Sequence, residues 1–170
     1  MRRFAPAIAL IAVMAFTGTA VAKDRLLHFG TGDVSIHNGT ATLANDPGEY
    51  SGVYIKAKGL SSKRLKAVHI SFRSSGDTAG GAPRFSIPLN TGHTESVTPY
   101  AFLDVNNCGN NLVSTDSANC KVFLNFSSES FDNWADLAST HPRWRIAKRA
   151  IPFIIADQAG TYMVSNIDLR

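Results

Sequence analysis

The sequence predicts an all-β protein, an antiparallel two-sheet sandwich with one short α-helix. Hydrophobic and polar residues alternate with a period of two in several short segments, and one Asn-Gly pair separates two such segments. The 13 glycines and 7 prolines are spread over all 170 residues, which is typical of many turns. With 44% hydrophobic and 18% charged residues, the composition excludes a disordered polyelectrolyte and a polytopic membrane protein.

Residues 1–22 have the pattern of a secretory signal peptide. Arg2 and Arg3 precede an apolar stretch from Ala7 to Phe16, and Ala20-Val21-Ala22 fits a cleavage site. The apolar stretch is shorter than the roughly 20 residues that a spanning helix needs. We therefore expect cleavage near Ala22 and a secreted protein, extracellular or periplasmic, without a membrane span. Residues 23–170 are expected to form a single β-sandwich domain.

The charge balance gives no support for a nucleic-acid partner. Cleavage would remove two of the 17 basic residues and none of the 13 acidic ones, so the net charge would fall from +4 to +2. The remaining chain has no dense run of lysine and arginine, which a phosphate-binding surface would require.

The two cysteines, Cys108 and Cys120, are predicted to form a disulfide. An isolated pair in an oxidising compartment is most simply a bridge, and no C-x-x-C spacing points to redox or metal chemistry. The pair brackets a polar segment, 109–119, that we interpret as a long loop between two strands.

The strongest local prediction is a β-hairpin at Asn38-Gly39. This dipeptide supplies the two positive φ angles of a type I′ turn, and it lies between the alternating segments Val34–His37 and Thr40–Leu43. Further strands are predicted at 65–73 and 83–89. Pro88 cannot donate a ladder hydrogen bond, so the second of these is expected to be an edge strand or to contain a bulge.

One helix is predicted from Phe131 to about Ala138. Phe131, Trp134 and Leu137 recur at helical spacing, Ser130 can serve as the N-cap, and a proline follows the helix.

Three segments resemble known secreted proteins. Gly32–Ile36 with Asn38–Leu43 resembles the first hairpin of jelly-roll domains of the carbohydrate-binding-module or galactose-binding-like type. The end of the chain, Gly160–Leu169, resembles the last strand of such modules. The segment Gly80–Phe85, together with Trp144–Ala147, is similar to uncharacterised secreted bacterial proteins. The resemblance implies a jelly-roll-like sandwich and, by extension, sugar binding.

The same resemblance raises the question of a structural calcium ion. In those modules the aspartate of the closing strand commonly helps to hold calcium, whereas Ser165 stands at the equivalent place here and Asp168 lies three residues later. We therefore predict no cofactor and keep calcium as an alternative without support from these residues.

A candidate binding site follows from the alternation within the strands. If one set of hydrophobic residues faces the core, the opposite set mixes arginines, an acid, an amide and two aromatic rings, a combination typical of sugar-binding surfaces. An ordinary polar outer face is the alternative, with Phe102 and Phe123 as a cross-strand pair and Arg84 and Asp104 as an ion pair. The candidate ligand-binding residues are Arg73, Arg84, Phe102, Asp104, Phe123 and Asn125, with Asn106 in a rim loop.

The sequence contains no motif that would predict a catalytic site. The sequence lacks G-x-S-x-G, H-E-x-x-H, P-loop and dinucleotide-binding signatures, and its five histidines lack ligand spacing. The function expected is therefore a non-catalytic binding module, most plausibly for a glycan or polysaccharide. The alternatives are a polysaccharide hydrolase or lyase on the same fold, and an envelope or interaction protein without a small-molecule site. The sequence makes no prediction of oligomeric state.

Overall fold

A computed structural model describes residues 26–56, 59–95, 97–109 and 111–169. The signal-peptide prediction for residues 1–22 therefore lies outside the described residues. Within them the strands are β1 Leu26–Gly30, β2 Asp33–His37, β3 Thr40–Asn45, β4 Ser51–Ile55, β5 Ile70–Gly76, β6 Arg84–Asn90, β7 Tyr100–Asp104, β8 Leu112–Ser114, β9 Val122–Leu124, β10 Ser130–Phe131, β11 Arg145–Ile146, β12 Phe153–Ala156 and β13 Gly160–Leu169. The helices are α1 Val105–Cys108 and α2 Trp134–Thr140, with 3₁₀ turns at Leu65–Ala67 and Ala79–Gly81.

The strands form two antiparallel sheets. The eight-stranded sheet has the order β1-β4-β12-β6-β7-β9-β10, with β11 pairing beside β6, and the five-stranded sheet has the order β2-β3-β13-β5-β8. Their inner faces share one core, in which the ring of Phe72 from β5 meets the ring of Phe85 from β6 edge to face at 4.9 Å. The predicted all-β sandwich is thus confirmed.

The Asn38-Gly39 hairpin is also confirmed. Asn38 has φ 49° and Gly39 has φ 78°, the two positive angles that the turn requires. The strands β2 and β3 pair in register on either side of it, from His37 opposite Thr40 to Asp33 opposite Ala44.

The predicted bounds of the helix were wrong by several residues. Helix α2 begins at Trp134 and ends at Thr140, and its N-cap is Asn133, whose Oδ1 accepts a hydrogen bond from the backbone of Asp136 at 2.9 Å. Ser130 and Phe131 instead form β10, which pairs with β9. The helical spacing of Phe131 is therefore accidental, because its side chain joins the core from a strand.

The prediction that Pro88 marks an edge or a bulge was wrong as well. Strand β6 lies between β12 and β7, and Pro88 is in regular register with Tyr100 of β7. Its nitrogen points to the other side, where pairing with β12 stops at Ser86 and pairing with β11 starts at Leu89. The proline is tolerated in an interior strand because β12 has ended on this side and the chain after β11 uses only the carbonyl of Pro88, which accepts a hydrogen bond from the backbone nitrogen of Ala147 at 2.9 Å.

The predicted strand at 65–73 begins five residues later, because Leu65–Ala67 forms a 3₁₀ turn and β5 starts at Ile70.

Cys108 and Cys120 form the predicted disulfide, but the segment between them is not only a loop. It contains β8, which pairs with β5 in the five-stranded sheet, whereas β7 and β9 on either side belong to the eight-stranded sheet. Cys108 lies where the chain leaves the eight-stranded sheet after β7, and Cys120 lies where the chain returns to that sheet before β9. The disulfide therefore joins these two points. In the part of the chain that the model describes, no helix is long and apolar enough to cross a membrane.

Candidate functional site

The outer face of the eight-stranded sheet carries a row of hydrophobic and aromatic side chains in direct register. The five central members of this row alternate along their strands with buried residues, so their side chains stand on the face away from the core. From β1 to β10 the row reads Leu27, Tyr54, Phe153, Ser86, Phe102, Phe123 and Ser130.

Ring contacts connect five aromatic residues on this face, and Phe123 lies beside one of them, Phe102, in strand register. Phe29 lies 4.4 Å from Tyr54 and 5.5 Å from Phe153 between ring centroids, and Tyr100 lies 6.4 Å from Phe102 with nearly parallel planes. We call these six residues the aromatic face: Phe29, Tyr54, Tyr100, Phe102, Phe123 and Phe153. Large rings on an exposed sheet face are unusual, because an outward face is ordinarily polar.

The middle of the row is closed by rings that meet above strand β6. Phe153 comes from β12 and Tyr100 from β7, on opposite sides of β6, yet their centroids are only 5.5 Å apart in an edge-to-face contact. Ser86 of β6 lies in register beside Phe153 and is only 1% exposed although it points outward. The small serine leaves room for the two rings, and they bury its hydroxyl without offering it a hydrogen-bond partner.

A glycine is needed at the β1 end of the aromatic face. A Cβ at position 52 would lie 2.5 Å from Cζ of Phe29, so the ring of Phe29 packs on the bare backbone of Gly52. This close approach places the ring centroid of Phe29 6.5 Å from that of Tyr50 and 4.4 Å from that of Tyr54.

The aromatic face also carries polar groups. Desolvation by burial and, to a smaller extent, the nearby Tyr54 raise the pKa of Tyr100 above the ordinary tyrosine value, so its hydroxyl stays protonated. Among the described residues, neither Tyr54 nor Tyr100 has a hydrogen-bond partner for its hydroxyl. These two hydroxyls are therefore available to a ligand as donors and acceptors.

Arg84 lies beside the aromatic face but is not paired with Asp104. Its guanidinium carbon is 5.3 Å from the ring centroid of Phe102, and its Nη1 and Nη2 donate to the carboxylate of Asp157 at 3.1 and 2.5 Å. The alternative ion pair with Asp104 considered for the sequence is thus not formed, although the two residues are opposite each other in β6 and β7. Arg84 acts here as a group that holds the ring of Phe102.

Two other candidate residues use their polar atoms within the protein. Asp104 is 8% exposed and caps α1, accepting hydrogen bonds from the backbone and side-chain nitrogens of Asn107 at 2.8 and 2.7 Å. Asn125 accepts from the backbone nitrogen of Tyr100 at 2.7 Å and donates to the carbonyl of Thr98 at 2.9 Å. Both side chains position the ends of β7.

The two remaining candidates lie away from the aromatic face. Arg73 stands on the outer face of β5 in the five-stranded sheet, so it lies on the opposite side of the sandwich from Phe102 and Phe123. Asn106 is exposed on α1 and lines a small cavity together with Thr78 and Gly109. The structure therefore brings together Arg84, Phe102 and Phe123 and separates them from Arg73 and Asn106.

Sequence reasoning missed four of the six residues of the aromatic face, namely Phe29, Tyr54, Tyr100 and Phe153. Tyr54 and Phe153 alternate with core residues along their strands, but nothing local indicates that β4 and β12 lie next to each other and that β12 lies next to β6. Phe29 belongs to β1, which the sequence analysis did not predict. The one signal in the sequence that could have indicated these residues is an aromatic side chain on the polar side of an alternating strand.

The outer face of the other sheet has a different character. The corresponding row reads Ser35, Thr42, Met163 and Ser75 across β2, β3, β13 and β5, which is polar except for one methionine. The aromatic face is therefore a property of one sheet, and the other sheet offers matched control positions.

Comparison with known proteins supplies no assignment. No protein-family model matches the chain, and no curated protein matches it at a significant level. Within the described residues, no group of three or more histidine, cysteine, aspartate and glutamate side chains is arranged to hold a metal ion.

Proposed function

We propose that the protein is a secreted, non-catalytic carbohydrate-binding module that holds its ligand on the aromatic face. The observation that carries this proposal is the register row in which Tyr54, Phe153, Phe102 and Phe123 present their rings on one side of a single sheet. The apolar faces of pyranose rings pack on aromatic side chains, and a row of such side chains matches a chain of sugars better than a single sugar.

The polar groups beside the rings fit the same ligand. A pyranose has hydroxyls around its edge, and the unpaired hydroxyls of Tyr54 and Tyr100 can exchange hydrogen bonds with them. Arg84 supports the ring of Phe102 and is held by Asp157, so the ring is fixed before the ligand arrives. Fixed rings reduce the entropy lost on binding.

The disulfide supports the secreted part of the proposal. Disulfides persist in extracellular and periplasmic proteins and are rare in a reducing cytosol. Mass spectrometry of the exported protein should give an N-terminus at residue 23 if the signal-peptide prediction is right.

The binding test compares the two outer faces of the sandwich. The protein is incubated with insoluble cell-wall polysaccharides and with a glycan array, and the retained fraction is measured for wild type, Tyr54→Ala, Phe102→Ala and Phe123→Ala. Met163→Ala and Arg73→Ala are matched controls, since Met163 is 39% and Tyr54 38% exposed on opposite faces. Each ring variant is expected to bind about tenfold more weakly, because a ring contact contributes stacking beyond the apolar area it buries.

Three outcomes would contradict the proposal. The first is the absence of retention on every polysaccharide at high protein concentration. The second is an equal loss in the control variants. The third is the release of soluble products, which would favour a hydrolase or lyase. A mass that rises with protein concentration and falls to that of the monomer in Tyr54→Ala would instead indicate an interaction protein.

A further inference from the structure

A second candidate site lies at one end of the sandwich and has no residue in common with the aromatic face. It is a pocket of about 650 Å³ between α2, the 3₁₀ turn before β5 and the loop after β8. Its apolar lining consists of Val68, Ala118, Trp134, Ala135, Ala138 and Pro142, and its polar lining includes Lys66, His69 and Asp116. A concave apolar surface with a few polar groups at its edge is the usual form of a small-molecule site.

The walls of the pocket are held in place by buried hydrogen bonds. Nε1 of Trp134 donates to the backbone carbonyl of Leu65 at 2.9 Å, which fastens α2 to the 3₁₀ turn. On the opposite wall, the hydroxyl of Thr115 accepts a hydrogen bond from the backbone nitrogen of Ile70 at 3.0 Å. The backbone nitrogen of Thr115 donates to the backbone carbonyl of Ile70. These hydrogen bonds fix the position of each wall of the pocket.

A hydrogen-bonded pair of polar side chains, His69 and Asp116, stands at the edge of the pocket. Nδ1 of His69 lies 2.6 Å from Oδ1 of Asp116, and both side chains line the pocket and are about half exposed. A carboxylate only accepts hydrogen bonds, so Nδ1 carries a proton, and the tautomer of the imidazole that has this single proton leaves a lone pair on Nε2. Among the described residues, Nε2 has no hydrogen-bond partner.

We propose that this pocket binds a small apolar ring that carries a hydroxyl donor, a phenol. The ring would pack on the apolar lining beside Trp134, and its hydroxyl would donate to Nε2 of His69. A carboxylate would find a cation in Lys66, which also lines the pocket, but it is a poorer match at this edge, where it would meet acceptors at Nε2 and at Asp116. A sugar is poorer as well, because several of its hydroxyls would lose their water against Val68 and Ala138 without gaining a partner.

The test uses a pair of probes that differ in one hydrogen-bond donor. 4-Methylphenol and 4-methylanisole have the same ring, but the second has no O–H. Binding is followed by tryptophan fluorescence in Trp144→Phe, which leaves Trp134 as the only tryptophan of the chain. We expect 4-methylphenol to bind about three- to tenfold more tightly than 4-methylanisole, the usual net contribution of one neutral hydrogen bond.

Two variants assign the binding to this pocket. In His69→Phe, which keeps a ring but has no acceptor, the two probes should bind with equal affinity. In Ala135→Phe, where an exposed helix position is filled with a large side chain, both probes should lose binding at least about tenfold. His93→Phe, at a histidine outside this pocket, is the control and should behave like wild type. Ala135→Leu replaces the larger substitution if circular dichroism shows that Ala135→Phe is not folded.

The proposal would be overturned by the absence of binding of either probe, by equal affinities in the wild type, or by a preference for 4-methylphenol that survives in His69→Phe. Undiminished binding in the folded Ala135 variant would also overturn it. None of these outcomes bears on polysaccharide binding at the aromatic face.

Discussion

Arg84 and Asp157 form a two-bond ion pair at the edge of the aromatic face, and Asp104, the cross-strand neighbour of Arg84, takes no part in it. Each partner of the pair has only 26–30% of its side chain exposed, so water screens the interaction incompletely. Asp157 follows β12 directly, which means that the pair fastens the end of β12 to the start of β6. The same guanidinium packs on Phe102.

We expect Arg84→Ala to lower the free energy of unfolding by about 1–2 kcal/mol, since a charge-assisted pair is lost and Asp157 is left partly buried. Urea denaturation measures the change. Arg73→Ala, an exposed arginine of the other sheet, should change stability by less than about 0.5 kcal/mol. Adding Asp157→Ala to Arg84→Ala should cost much less than Asp157→Ala costs in the wild type. Strictly additive losses would show that the two residues are not coupled.

Ser86 provides a test of the closed centre of the aromatic face. Its hydroxyl is buried and has no hydrogen-bond partner among the described residues. Ser86→Ala should therefore leave stability unchanged or raise it by up to about 1 kcal/mol, because the desolvation cost of an unpaired hydroxyl disappears. Thermal unfolding followed by circular dichroism is sufficient. A destabilisation above about 1 kcal/mol would mean that the hydroxyl is paired in solution.

The disulfide should stabilise the protein by closing the segment that crosses from one sheet to the other and back. Replacing both Cys108 and Cys120 by alanine is expected to lower the free energy of unfolding by about 3 kcal/mol on the loop-entropy model. Since β8 lies within the bridged segment, we also expect proteolysis to begin at residues 109–119 in the variant. Equal protease resistance of variant and wild type would argue that the β5–β8 pairing alone orders this segment.

We expect Tyr162 to make the free energy of unfolding fall at alkaline pH. Its side chain is fully buried, and desolvation, followed by the carboxylates of Asp77 and Asp157, raises its pKa above the ordinary tyrosine value. Below about pH 10 the phenol is neutral in both the folded and the unfolded chain. As the pH rises further, the unfolded chain loses this proton before the folded chain does. The free energy of unfolding therefore falls with pH until the pH passes the raised pKa, and above that pH the loss stays constant.

Unfolding measured from about pH 9 to 11 should therefore depend less steeply on pH in Tyr162→Phe than in wild type. The variant also loses the hydrogen bond from the hydroxyl to the carbonyl of Ala159, so its stability near neutral pH should drop by about 1 kcal/mol. Tyr50→Phe, at an exposed tyrosine, is the matched control. An alkaline slope unaltered by Tyr162→Phe would contradict the assignment.

Local chemistry in the sequence was sufficient for the class of fold, the Asn38-Gly39 turn and the outward side of Phe102 and Phe123. These features depend on neighbours in the chain: positive φ angles in one dipeptide, and a side-chain period of two within a strand. The helix was predicted at the right place but with the wrong start, because Phe131 has helical spacing and yet pairs with β9 in a strand.

Only the tertiary structure decided which strands are neighbours. Arg73 and Arg84 have equivalent places in two alternating segments, but β5 and β6 belong to different sheets, so the two side chains lie on opposite faces of the sandwich. Tyr54 and Phe153 join Phe102 in one row for the converse reason, since β4 and β12 pair beside β6. Strand pairing across such long separations depends on the packing of the whole core, and the local alternation is the same whichever sheet a strand joins.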